Sequence, residues 1–264
     1  MTKNKSKHFL MLSLVLFCVT FSHAQTYTNG KGLTYKGRSY ATVVMGNSQE
    51  WMAENLSVFY FRNGDPIPIV KTDEAWKKAG ENGEPACCYY ENNAEYGKTY
   101  GLLYNWYAVN DPRGLAPDGW HVPTDTEWLK LTDYLGGDKV AGTKMKSTSG
   151  WKSYDGVAEC ANCKNWIAEQ KAGQTCSVCN DSRKTKAQVS GNGSNVSGFS
   201  GLPGGNRSSY YGTFGYIGNY GYWWSSTEYN TGSAWARLLG YLNGDAYRYN
   251  DVKTVGFSVR CLRD

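Results

Sequence analysis

Phe199-Ser-Gly-Leu-Pro-Gly-Gly-Asn-Arg207 is followed by Tyr220-Gly-Tyr-Trp-Trp-Ser-Ser-Thr-Glu228 and closed by Gly256-Phe-Ser-Val-Arg-Cys261, and the reading of these three runs decides the fold. Glycines, which tolerate left-handed backbone, alternate here with aromatic and β-branched residues, the pattern of short strands joined by tight turns. Between the second and third runs, residues 236–242 and 246–249 flank Asn243-Gly244, a dipeptide that favours a hairpin turn. The last run alternates bulky and small residues as a closing strand does. Composition agrees: 31 Gly, 21 Tyr and 10 Trp against 19% charged residues suit a loop-rich, short-strand fold better than a helical bundle.

Working outward, two helices are expected to support this stretch. Residues 99–109 carry Leu102, Leu103, Trp106, Tyr107 and Val109 at mostly helical spacing before Asp111-Pro112 stops them. The second follows Pro123: Thr124 as N-cap and Glu127 three residues on form a capping box, Trp128, Leu131 and Leu135 make the buried stripe, and Gly136-Gly137 ends it. A shorter helix opens at Thr72-Asp73-Glu74, Tyr35-Lys36-Gly37-Arg38 reads as a tight hairpin, and residues 41–45 read as a strand. No repeat of fixed period runs through the chain, which argues against solenoids and propellers.

Residues 1–24 stand apart. Lys3, Lys5 and Lys7 precede a thirteen-residue apolar run at 9–21, and Ser22-His23-Ala24 offers small residues for cleavage before Gln25. This is a secretory signal peptide in form, and the run is shorter than the roughly 20 residues a permanent membrane helix needs. The expected product is therefore secreted to the periplasm or beyond, without stable membrane insertion. The formal charge of +5 loses those three lysines with the leader and falls to +2. With no basic run remaining, nucleic acid is not an expected partner.

Seven motifs occur in order: EWMAENL at Trp51, CYYENNAEYGKTYGLLYNWYAV, LAPDGWHVPTDTEW, LTDYLGG, SGFSGLPGGNR, IGNYGYWWSSTE and GFSVRCLRD. Over roughly residues 35–264 they resemble the Fibrobacter succinogenes major paralogous domain. That family in turn resembles the C-type-lectin-like superfamily, in the branch that includes formylglycine-generating enzymes. The resemblance implies a single α+β domain over residues 25–264, with two helices packed on short twisted antiparallel sheets. It implies little about chemistry, because a fold does not settle a function.

Residues 155–196 read as an insertion, polar and poor in large apolar residues. Cys160-Ala-Asn-Cys163 and Cys176-Ser-Val-Cys179 have the spacing of two knuckles that close on one structural zinc; in an exported protein the same four cysteines could instead form two disulfides. Of the remaining mature cysteines, Cys88 is the preferred partner for Cys261 in a disulfide, with Cys87 as the alternative. His121, the single histidine after the leader, is expected to be structural, and no Gly-x-Ser-x-Gly elbow presents a nucleophile.

The aromatic stretch is the stronger functional candidate. Tyr222, Trp223 and Trp224, with Glu228, Arg237, Asn243, Asp245, Arg248 and Asn250 downstream, form the expected ligand-binding set. Aromatic faces pack on apolar ligand faces while the polar side chains hydrogen-bond directionally. The rings also suit core packing in so glycine-rich a chain, and that reading stays open here. C-type lectins hold calcium with Asn, Asp and Glu oxygens in this part of the fold, although acidic residues are sparse for it in this chain. The expected function is an exported module that binds polysaccharide or cell-surface glycan. The alternatives are a protein-binding scaffold of a surface assembly and an oxidase of the formylglycine-generating type.

Overall fold

The structure, a computed structural model, describes residues 27–157 and 186–264. The leader and Cys160, Cys163, Cys176 and Cys179 lie outside the described residues, and so do the cleavage site and the metal site expected on them. Among the described residues the fold is mixed α+β, with helices α1 (Asp73–Glu81), α2 (Ala94–Tyr100), α3 (Trp106–Val109), α4 (Asp125–Tyr134) and α5 (Asp138–Met145) beside two five-stranded sheets. That is more than the two main helices and the shorter one expected at Thr72, which forms as α1.

One sheet runs in the order Thr28–Asn29, Thr42–Val44, Glu50–Met52, Leu262–Arg263, Trp120–His121, so the last strand of the chain is inserted between strands from its first half. The other runs Phe214–Ile217, Gly204–Arg207, Tyr220–Asn230, Ser233–Gly240, Ala246–Val252. Its one parallel pairing, through Gly205 and Gly221, needs glycine on both strands. A Cβ at 205 would lie 2.3 Å from the Gly215 carbonyl oxygen, and one at 221 would lie 2.6 Å from that of Leu202.

Successive strand residues point to opposite faces, and this decides the fate of the double tryptophan. Trp223 packs with Trp51, Trp128, Phe199 and Leu239 in one core, while Trp224 joins Tyr104, Trp106, Ala236 and Phe257 in another. Both are 0% exposed, which corrects the expectation that they touch a ligand. Arg260, itself fully buried, links the motifs at either end of the decisive stretch: Nε donates to Asn55 Oδ1 at 2.9 Å, Nη2 to the Ser200 carbonyl at 3.0 Å, and Nη1 to the Phe199 carbonyl.

Helix α4 forms as read, with Thr124 Oγ1 accepting from Glu127 N and Glu127 Oε2 from Thr124 N at 2.8 Å. The expected hairpin is also present, though its connection spans 241–245 rather than two residues. Residues 99–109 are not one helix. Gly101 breaks it with φ +73°, and Leu103–Tyr104 pairs as a short strand with Cys87–Cys88 before α3 begins. On that strand Cys87 faces the core that holds Cys261, whereas Cys88 faces a third core with Trp76 and Tyr90. All three cysteines are buried free thiols, so the expected Cys88–Cys261 bridge is not formed. Burial raises the Cys88 thiol to about 11 despite the Arg207 charge beside it, and raises Cys87 and Cys261 further. Thiols held neutral in this way are poor nucleophiles, which gives the oxidase reading no support at these positions.

Candidate functional site

The expected ligand-binding set separates into three places. Arg237 is buried with Trp223 and Trp224; its Nη1 lies 2.7 Å from Asp125 Oδ1, and Arg248 Nη2 reaches the other oxygen of that carboxylate at 2.9 Å. The two arginines flank one another across paired strands and fasten the first residue of α4 to the sheet. Arg248 also covers the Trp235 ring at 3.5 Å, and Glu228 is engaged by Lys253. Arg237, Arg248 and Glu228 are thus held in ion pairs within the protein. Asn250 is exposed on the edge strand, opposite Trp235.

Asn243 and Asp245 sit in the hairpin turn and line a cavity of about 530 Å³ with Lys139, Lys146, Tyr154 and Tyr241. Asp245 pairs with Lys139 at 2.8 Å. Lys146 is buried, its Nζ donating to the carbonyls of Gly240 at 3.0 Å and Asn243 at 2.8 Å, and burial lowers its pKa to about 8.

Tyr222 belongs to a different surface. Its ring stacks on Phe257 with centroids 4.8 Å apart and planes 3° from parallel, and its upper side meets other tyrosines. The Gly204–Arg207 and Phe214–Ile217 hairpin lifts Tyr210, Tyr211 and Tyr216 into solvent at 70%, 67% and 57% exposure. Beside them a groove of about 460 Å³ is lined by Asn206, Ser208, Tyr211, Phe214, Tyr216 and Asp251 among others. Tyr216 holds φ +67°, an uncommon backbone state for an aromatic residue and one that often accompanies functional surfaces.

Tyrosine rings join the two concavities. Centroids step from Tyr249 to Tyr222 (6.3 Å), Tyr216 (6.5 Å), Tyr220 (5.5 Å), Tyr241 (6.1 Å) and Tyr154 (5.9 Å). Burial raises the hydroxyl pKa values of Tyr222 and Tyr249, with Asp251 adding to both. Tyr220 and Tyr222 share a strand face by simple alternation, a signal present in the sequence. Tyr154, Tyr241, Asn206 and Asp251 reach the band from separate segments, and no local pattern announces them.

Among the described residues, no cluster of three or more His, Cys, Asp or Glu could hold a metal ion, so the calcium expectation finds no ligand set there. No helix among them is long and apolar enough to cross a membrane. What fold and surface together define is a mixed α+β domain with an aromatic band between two concavities. A family model of the Fibrobacter succinogenes major domain matches residues 44–263, and the chain belongs to that family. No curated protein and no solved structure matches it.

Proposed function

We propose that this chain is an exported binding module of C-type-lectin-like architecture whose partner is a polysaccharide or cell-surface glycan. The observation that carries the reading is the tyrosine band between the two concavities. A linear polymer of sugar rings offers repeated apolar faces to stack on such a band, while its hydroxyls meet Asn206, Ser208 and Asn192 along the way. Export rests on the form of residues 1–24, and a structural zinc on the two Cys-x-x-Cys pairs is part of the same proposal.

Titration calorimetry with soluble polysaccharides tests the reading. Binding should weaken roughly tenfold in Tyr216→Ala and in Tyr220→Ala, with unchanged unfolding midpoints. A panel of neutral, acidic and amino polysaccharides that all fail to bind would move the weight to a protein partner. The feature favouring that second reading is the pair Tyr210 and Tyr211, edge to face at 4.6 Å on the hairpin tip.

A further inference from the structure

Asp251 stands in the tyrosine groove. Its Oδ1 accepts from Val252 N at 2.8 Å, and no Lys, Arg or His among the described residues pairs with it. Burial raises its pKa. Tyr249 Oη, whose pKa the Asp251 charge helps to raise, is buried with no hydrogen-bond partner among the described residues. Arg207, beneath Phe214, is committed to the carbonyls of Val70, Thr72 and Gly212 and to Asp73.

Any ligand that covers this groove strips more water from the carboxylate. A neutral ligand leaves the charge uncompensated in a drier place, which is unfavourable, whereas a cationic one compensates it. The rings of Tyr211 and Tyr216 that line the groove favour the same sign, because an ammonium is attracted to the negative face of an aromatic ring. Calcium fits poorly, since it takes about six to eight oxygens and this groove supplies one carboxylate. Building on the glycan reading, we infer that the groove selects a sugar carrying a free amine, whose ammonium pairs with Asp251 and lies against Tyr216.

The test compares binding of a glucosamine oligosaccharide, its N-acetylated counterpart and a neutral glucose oligosaccharide to the full chain and to Asp251→Asn. The free-amine oligomer should bind the native protein about tenfold tighter than the N-acetylated one, and Asp251→Asn should abolish that preference. Removing a half-buried charge with no ion pair among the described residues should leave the unfolding midpoint unchanged or higher, so the variant reports on binding. Equal affinity for amine and N-acetyl forms, or a preference that survives Asp251→Asn, overturns the amine inference and leaves the glycan reading standing. If none of the three binds, the amine inference falls, and the glycan reading falls with it only if acidic polysaccharides fail as well.

Discussion

His121 Nδ1 stands 2.6 Å from Asp264 Oδ1, while Nε2 of the same ring stands 3.0 Å from Glu127 at the start of α4. The imidazole thus ties the last residue of the chain to the capping box of a helix. Burial lowers its pKa, but hydrogen bonds that the ring donates to the Asp264 and Glu127 carboxylates outweigh that and leave it raised above 6.5. Burial likewise opposes the Glu127 charge, and the bonds from Thr124 and His121 outweigh it, leaving its pKa below 4.5.

The signs give a pH window. A raised histidine stabilises fully below its unfolded pKa and loses that contribution as pH rises through the folded value. A lowered glutamate stabilises above its unfolded pKa and loses it as pH falls through the folded value. The pair therefore contributes most between about 4.5 and 6.5, the unfolded values of the two groups. Thermal unfolding across pH 4 to 9 should show His121→Gln flattening the decline on the alkaline side; an unchanged profile would refute the assignment.

Asp125→Ala should destabilise the protein by about 3–5 kcal/mol, because it leaves Arg237 charged and buried, its own Nε already without a hydrogen-bond partner among the described residues. Replacing Asp125 and Arg237 together by apolar residues should cost less than the single change. Urea unfolding of the three variants decides the matter, and strict additivity would mean that the pair is not coupled.

Trp223→Ala and Trp224→Ala should each cost roughly 3–5 kcal/mol. Each change also removes one indole donor, from Asn55 Oδ1, which keeps Arg260 Nε, and from the Tyr104 carbonyl, which keeps Phe257 N. Denaturant melts with small losses at either position would contradict the burial of both rings.

Gly101→Ala should cost more than Gly119→Ala. Both hold φ +73°, but a Cβ at 101 would lie 2.7 Å from the Leu56 carbonyl oxygen, whereas at 119 it meets open space. At Gly101 ψ is −149°, a backbone state essentially confined to glycine, so strain and clash add there, and a loss at 101 no larger than at 119 would refute the close approach.

What the sequence made legible is what neighbouring residues determine. Thr124 and Glu127 cap the same turn, Asn243-Gly244 marks one connection, and Lys36-Gly37 both hold positive φ in the early hairpin. The failures follow from distant partners. Leu103 and Tyr104 have helical spacing, yet they pair with Cys88 and Cys87. Adjacent tryptophans must face opposite sides of a strand, but whether both sides are covered depends on α4 and α5 on one and on Tyr104, Trp106 and Phe257 on the other. Arg237 and Arg248 looked like ligand donors because their acceptor, Asp125, lies more than a hundred residues away. The tyrosine band was half visible for the same reason: Tyr216, Tyr220 and Tyr222 are close in the chain, and Tyr154, Tyr241 and Asp251 are not.

The strand Tyr154–Val157 pairs antiparallel with Lys186–Val189, register Val157 to Lys186, so residues 157 and 186 stand side by side at one end of a ladder. Foreign sequence of almost any length can be spliced between two such residues with little strain on the body that carries them. This makes the ladder a natural port for swapping cargo: a peptide epitope or a reporter placed after Val157 would be displayed beside the concavity that Tyr154 lines.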